Sequence, residues 1–180
     1  MTQPRPNLFY ALWPDEATRA ELTVLQAHVR GRLIRPPNLH LTLAFLGPQP
    51  EECLPTLKSL LSGIHCPPVR LEIDRMGHFG KNHIAWAGTH ALPPELSTLR
   101  QALTTTLAQA SIPFDHKAFK PHITLARDAA PPPDLPFDPF YWLADRIVLA
   151  RSPLAGEKPF YRVLASQTLA ANPACPADID

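Results

Sequence analysis

The sequence is poor in glycine and cysteine, and each shortage excludes a class of protein. Only 7 of the 180 residues are glycine. Neither the Gly-x-Gly-x-x-Gly pattern of dinucleotide-binding folds nor the Gly-x-x-x-x-Gly-Lys phosphate loop occurs. The three cysteines, Cys53, Cys66 and Cys175, are odd in number and widely spaced. We therefore expect neither a disulfide framework nor a cysteine metal knuckle.

An excess of charge and a long apolar run are also lacking. The 17 basic and 16 acidic residues leave a net charge of +1, whereas proteins that follow long nucleic acids by charge carry a stronger basic excess. No apolar run approaches the ~20 residues of a membrane span, and the first residues lack the apolar centre of a signal peptide. We expect a cytoplasmic protein without membrane contact, whose nucleic-acid contacts are confined to one end or one phosphate.

Helix-like and strand-like segments are mixed along the chain. The patterns of apolar residues and turn residues predict strands at 7–13, 39–46, 69–76, 84–87, 122–126, 147–150 and 161–169. They predict helices that open at Pro14 and at Pro93, and a third helix over 50–61. These elements favour an α+β fold with antiparallel strands, consisting of two related halves. We expect one domain over 1–170 and a C-terminal tail over 171–180.

One tetrapeptide, His-apolar-Thr-Leu, occurs twice, at 40–43 and 122–125. Roughly 0.1 copies are expected by chance for this composition, so the repeat is informative. Both copies lie in predicted strands, where residues i and i+2 point to the same side. Each copy therefore places an imidazole and a hydroxyl on one face and sends its apolar residues to the core.

Two such strands facing one cleft would support acid–base chemistry on a phosphate. One neutral imidazole takes a proton from a nucleophile, and one protonated imidazole gives a proton to a leaving oxygen. Threonine hydroxyls donate hydrogen bonds to the other phosphate oxygens. No metal and no cofactor is expected, since the sequence has no His-x-His pair, no His-Glu-x-x-His motif and no acidic cluster beside these histidines.

The segments around the two motifs resemble those of the 2H phosphoesterases, a family named for two His-x-Thr motifs. Within it, the chain is similar to the RNA 2′,3′-cyclic phosphodiesterases, also called 2′-5′ RNA ligases. The resemblance lies in RPPNLHLTLAFLG at 35–47 and FKPHITLAR at 119–127, and in the segments at 7–14 and 149–154. It implies a two-lobed antiparallel fold with pseudo-two-fold symmetry, helices on the outside and the active site in the cleft between the lobes.

The resemblance also implies a reaction and residue roles. A ribose 2′,3′-cyclic phosphate, on an RNA end or a small cyclic nucleotide, is hydrolysed to a 2′-phosphomonoester without metal, and reversible 2′-5′ ligation would use the same site. His40 is the expected proton donor and His122 the expected proton acceptor, although the similar motifs leave the opposite assignment open. Thr42 and Thr124 are expected to hold phosphate oxygens. We expect a monomer.

Three further residues are candidates for substrate contacts. Many relatives carry a basic residue where this chain has Ala44, so we expect Arg127, five residues past His122, to bind the phosphate. Phe45 and Phe79 could stack on a base, although filling the core is the commoner role of an aromatic residue. Two alternatives stay open: a module that binds RNA ends or nucleotides without turnover, and a 2H esterase for another cyclic phosphate.

Overall fold

The computed structural model describes residues 5–170, which form ten β-strands and three α-helices. The strands are β1 (Asn7–Leu12), β2 (Arg32–Leu33), β3 (Leu41–Pro48), β4 (Val69–Ile73), β5 (Arg75–Phe79), β6 (Ile84–Gly88), β7 (Ile123–Arg127), β8 (Phe140–Ala144), β9 (Arg146–Arg151) and β10 (Arg162–Thr168). The helices are α1 (Glu16–Gln26), α2 (Leu54–Ser62) and α3 (Pro94–Gln109). No helix among the described residues is long and apolar enough to cross a membrane.

Eight strands form one sheet in the order β10-β9-β1-β3-β7-β6-β5, with β2 also paired to β7. The strands β4 and β8 pair separately as a two-stranded sheet. All these pairings are antiparallel, so the predicted α+β class with antiparallel sheets is confirmed.

A local two-fold axis runs through the centre of the large sheet. The two motif strands, β3 and β7, lie side by side there, with Leu41 opposite Ile123. Each is preceded by a related unit: α1 lies between the neighbouring strands β1 and β3, and α3 lies between the neighbouring strands β6 and β7. The predicted two-lobed arrangement with pseudo-two-fold symmetry is confirmed.

The helices cover one face of the large sheet with apolar side chains. The leucine spacing predicted for α3 is confirmed, because Leu96, Leu99, Leu103 and Leu107 are all buried. Burial of each such side chain stabilises the fold by roughly 1.5–3 kcal/mol. This core keeps β3 and β7 fixed, so that their other face is free to present functional groups.

The uncovered face carries a second, smaller apolar cluster. Side chains alternate along β1, so Tyr10 enters the main core while Phe9 and Ala11 point to the other side. There they join Trp13. Further members come from β9, from β10 and from the residue just before β10: Val148, Ala150, Val163 and Tyr161. This cluster lies beside the first motif.

The structure differs from the sequence predictions at several element boundaries. The strand predicted over 69–76 is two strands in different sheets, β4 and β5, because the chain changes sheets at Asp74, whose carboxylate accepts a hydrogen bond from the His90 N–H at 2.8 Å. The short strands β2 and β8 were not predicted. Helix α1 ends at Gln26 rather than continuing to Gly31, and α2 begins at Leu54 after a 3₁₀ turn. The predicted tail 171–180 lies outside the described residues.

Candidate active site

The four polar side chains of the two motifs line one cavity. With Leu41 opposite Ile123, the antiparallel register sets His40 across from Thr124 and Thr42 across from His122. The cavity has a volume of about 120 Å³. Its lining also includes Ile34, Asn38, Ile84, Arg127 and Tyr161.

Main-chain and side-chain hydrogen bonds fix the His40 ring. Its Nδ1 lies 2.6 Å from the carbonyl oxygen of Asn38. Since a carbonyl only accepts, Nδ1 carries the hydrogen and donates it. Nε2 lies 3.0 Å from the hydroxyl oxygen of Thr42 and is the ring nitrogen that remains able to accept a proton.

Aromatic side chains surround the same imidazole. Phe9 and Trp13 stack with it, at ring-centroid distances of 4.9 and 5.4 Å and interplanar angles of 28° and 12°. Tyr161 meets it edge-on at 5.2 Å. These contacts belong to the apolar cluster on the uncovered sheet face, which extends up to the first motif.

Burial lowers the pKa of His40 to about 4. The hydrogen bond to Asn38 opposes this shift, and the positive charges of His122 and Arg127 add to it. The cause is physical: a low-dielectric surrounding penalises the charged imidazolium. At neutral pH, His40 is therefore neutral.

His122 has the same main-chain support but fewer contacts. Its Nδ1 donates to the carbonyl oxygen of Lys120 at 2.7 Å, and Phe79 lies edge-on at 4.9 Å. Burial also lowers its pKa; the bond to Lys120 opposes the shift, and the charge of Arg127 adds to it. Within residues 5–170, its Nε2 has no hydrogen-bond partner such as Thr42 provides to His40.

Asn38 joins two parts of the site and was not singled out by the sequence. Besides the carbonyl that holds His40, its side-chain Nδ2 donates to the carbonyl of Pro159 at 2.8 Å. Its Oδ1 accepts from the main-chain N–H of Tyr161 at 3.0 Å. Asn38 thus fixes the segment that places Tyr161 against the His40 ring. Only its position, two residues before the histidine, could have indicated this role.

The remaining candidates for substrate contacts differ in whether they line the cavity. Arg127 lines the cavity with both histidines, as expected for a phosphate contact. Phe45 does not line it; this residue lies opposite Phe9 on β3 and is 43% exposed. Ala44 lies in the main core, because the irregular pairing of β1 with β3 turns this residue away from the cavity.

Metal-ligating side chains are not grouped in the part of the chain that the structure describes. No cluster of three or more His, Cys, Asp or Glu residues there is arranged to hold a metal ion. His78 and His83 are near neighbours, with ring centroids 6.3 Å apart, but Nε2 of His78 already bonds the carbonyl of Ala129 at 2.9 Å.

The chain is similar to known proteins in both sequence and fold. The family model described as LigT-like phosphoesterase matches residues 12–86 and 88–161. An RNA 2′,3′-cyclic phosphodiesterase of Thermus thermophilus is 36% identical, covering 91% of this chain and 90% of its own. Another from Escherichia coli is 35% identical, with 79% and 82% covered. The crystal structure of E. coli LigT complexed with 3′-AMP superposes with a TM-score of 0.77 at 29% identity, covering 92% of this chain and 99% of that one.

Proposed function

The chain belongs to the LigT-like phosphoesterase family, and we propose that it hydrolyses 2′,3′-cyclic phosphates on RNA ends and mononucleotides to 2′-phosphomonoesters. The observation that carries the proposal is the shared cavity, which brings two imidazoles and two hydroxyls together across a local two-fold axis. The relatives from T. thermophilus and E. coli are named for this activity, and the similarity covers most of their length. The E. coli structural neighbour was crystallised in complex with 3′-AMP.

In the proposed reaction His122 is the base and His40 the acid. Nε2 of His122 takes a proton from water as the water oxygen bonds to phosphorus. The bond from phosphorus to the ribose 3′ oxygen breaks, and Nε2 of His40 gives its proton to that oxygen. The products are a 2′-phosphomonoester and a 3′-hydroxyl. When the 5′-hydroxyl of a second RNA replaces the water, the same two proton transfers form a 2′-5′ phosphodiester instead.

His40 becomes protonated when the substrate binds. Its pKa of about 4 leaves it neutral in the free protein at neutral pH, but a cyclic phosphodiester carries a negative charge, and an opposite charge within a few ångströms favours the imidazolium. The bound anion therefore raises the pKa of both histidines. His40, adjacent to the hydroxyl of Thr42, is then able to act as the acid.

Thr42, Thr124 and Arg127 are proposed to hold the phosphate. Hydroxyl donors and a guanidinium suit the two non-bridging oxygens, whose charge persists in the transition state. The mechanism uses no metal ion. We further propose a cytoplasmic monomer; gel filtration of the purified protein at micromolar concentration checks the oligomeric state.

The deciding experiment is incubation with 2′,3′-cyclic AMP in EDTA, with the product identified by chromatography. We expect adenosine 2′-phosphate, and no product from the His122→Ala variant. A loss of activity in EDTA that Zn²⁺ or Mg²⁺ restores would refute the metal-free mechanism. Tight binding without turnover would instead favour the non-catalytic module, and turnover confined to other cyclic phosphates would favour the other 2H esterase.

A further inference from the structure

A cation–aromatic pair joins the two chain segments that supply Asn38 and Tyr161 to the cavity lining; this pair and its exposed sequence neighbours are termed the rim. The guanidinium carbon of Arg35 is 5.5 Å from the centroid of the Phe160 ring. Both residues adjoin the cavity lining in sequence, since Arg35 follows Ile34 and Phe160 precedes Tyr161. Phe160 is 39% exposed, so part of its ring is open to a ligand.

The chain around Phe160 is held rigidly. The side chain of Asn38 accepts from the N–H of Tyr161 and donates to the carbonyl of Pro159, the two residues that flank Phe160. A surface whose backbone is already fixed loses little conformational entropy when a ligand binds. The two Asn38 hydrogen bonds therefore make this segment better suited to bind a ligand than a mobile surface loop would be.

The rim carries positive charge without nearby compensation. Arg35 forms no ion pair with any residue in 5–170, and the exposed Lys158 adds a second positive charge. Glu157, the one acidic residue between 152 and 162, is engaged by Arg151 at 2.6 and 2.8 Å. Such a rim attracts a phosphodiester backbone.

The volume of the cavity indicates which part of an RNA substrate lies outside it, on the rim. Pockets that enclose a drug-sized ligand have about 300–1,000 Å³, whereas this cavity has about 120 Å³. It accommodates the reacting cyclic phosphate and leaves the rest of an RNA end outside. A cyclic mononucleotide has no second phosphate, so a cation at the rim would act on a longer chain.

We propose that Arg35 and Phe160 form a subsite for the nucleotide that precedes the terminal one in an RNA substrate. Its base stacks on the Phe160 ring, and Arg35 binds the phosphate that links it to the terminal ribose. This inference rests on the proposed function and deepens it: the subsite makes the protein prefer RNA ends over mononucleotides, with little dependence on base identity.

The test compares two substrates, 2′,3′-cyclic AMP and the dinucleotide ApA ending in a 2′,3′-cyclic phosphate. Phe160→Ala and Arg35→Ala should each lower kcat/KM for the dinucleotide about tenfold and change that for cyclic AMP less than twofold. Phe160→Trp should restore most of the loss. Arg35→Ala should also reduce the salt dependence with the dinucleotide by about 0.7 in the log–log slope.

A second cation–aromatic pair supplies the matched control. Arg70 lies 4.3 Å from the ring centroid of Tyr141, which is 57% exposed. Neither residue lines the cavity, and the Tyr141 hydroxyl donates to the carboxylate of Glu72 at 3.1 Å. Tyr141→Ala should leave the ratio of the two kcat/KM values unchanged.

Equal losses on both substrates, or no loss, would overturn the subsite. Failure of the unaltered protein to hydrolyse either substrate would count against the proposed function instead. Binding of both ligands to a His122→Ala background, measured by calorimetry, tests the subsite separately. There the dinucleotide should bind about tenfold more tightly than cyclic AMP, and adding Phe160→Ala should abolish that difference; equal affinities in the His122→Ala background would refute the inference.

Discussion

The two halves of the site have equivalent backbones and unequal surroundings. In both, the carbonyl two residues before the histidine accepts the Nδ1 hydrogen, at 2.6 Å for His40 and 2.7 Å for His122. Three aromatic rings surround His40, whereas within residues 5–170 Phe79 is the one aromatic ring that meets His122. Residues outside the motifs, on or just after β1 and before β10, therefore give the two imidazoles different surroundings.

Removing either imidazole should abolish most activity and so test whether the halves are both needed. We expect His40→Ala and His122→Ala each to lower kcat by about 10²–10⁴-fold, the usual contribution of a positioned acid or base. The double variant should lose little more than the worse single variant, because the two groups act in one step. Circular dichroism and thermal melting must show an unchanged fold.

A residual activity near wild type in one single variant would show that this half is dispensable. A substrate with a better leaving group distinguishes the roles of the two histidines. If His40 is the acid, a substrate with a better leaving oxygen should rescue His40→Ala more than His122→Ala. The reverse pattern would exchange the two roles.

Arg127 is the guanidinium that lines the cavity with both motifs, so its loss should affect them together. Charge-assisted hydrogen bonds contribute roughly 1.5–3 kcal/mol, and we expect Arg127→Ala to raise KM, and the inhibition constant of the 2′-phosphate product, by about 10- to 100-fold. Arg127→Lys should recover only part of this, because the bidentate geometry is lost. Steady-state kinetics with product inhibition measure both constants; unchanged values would show that Arg127 does not bind the phosphate.

Asn38 and Lys120 occupy the same position before the two histidines, and only Asn38 uses its side chain as a clamp. Asn38→Ala should lower kcat about tenfold with a smaller change in KM, since loss of two hydrogen bonds at roughly 1 kcal/mol each releases Tyr161 from the His40 ring. Asn38→Asp should retain part of the activity, because a carboxylate still accepts from the Tyr161 N–H.

Lys120→Ala is the matched comparison, and its effect should be the smaller one, because its carbonyl remains. A shift of the pH–rate profile in Asn38→Ala, absent in Lys120→Ala, would distinguish positioning of His40 from a general loss of stability. Equal effects of the two substitutions on kcat would contradict the asymmetry.

Local patterns allowed the motif strands and the core of α3 to be predicted from sequence. The His-x-Thr spacing sets both polar side chains of each motif on one face, and the leucine spacing of α3 fixes its buried face. The aromatic surroundings of His40 could not be predicted, because they depend on β1 lying beside β3 and on Tyr161 arriving from far along the chain. Alternation also failed at Ala44, where irregular pairing turns the strand.

The smallest expected effect is on the pH optimum of the reaction. Burial lowers the pKa of both histidines, that of His40 to about 4, so in the free protein above pH 6.5 both are neutral. Activity needs one charged and one neutral imidazole, and kcat/KM reports the free enzyme. Its bell should therefore peak below pH 6.5, where an unperturbed pair would centre. The bell for kcat should lie at higher pH, because the bound anion raises both pKa values.

Trp13→Ala, which opens His40 to water, should move the kcat/KM optimum upward by raising the pKa of His40, whereas Phe79→Ala acts only on His122. Histidine NMR titrations of the two variants measure each pKa directly, and equal pKa values for His40 and His122 in the unaltered protein would remove the asymmetry on which this comparison is based.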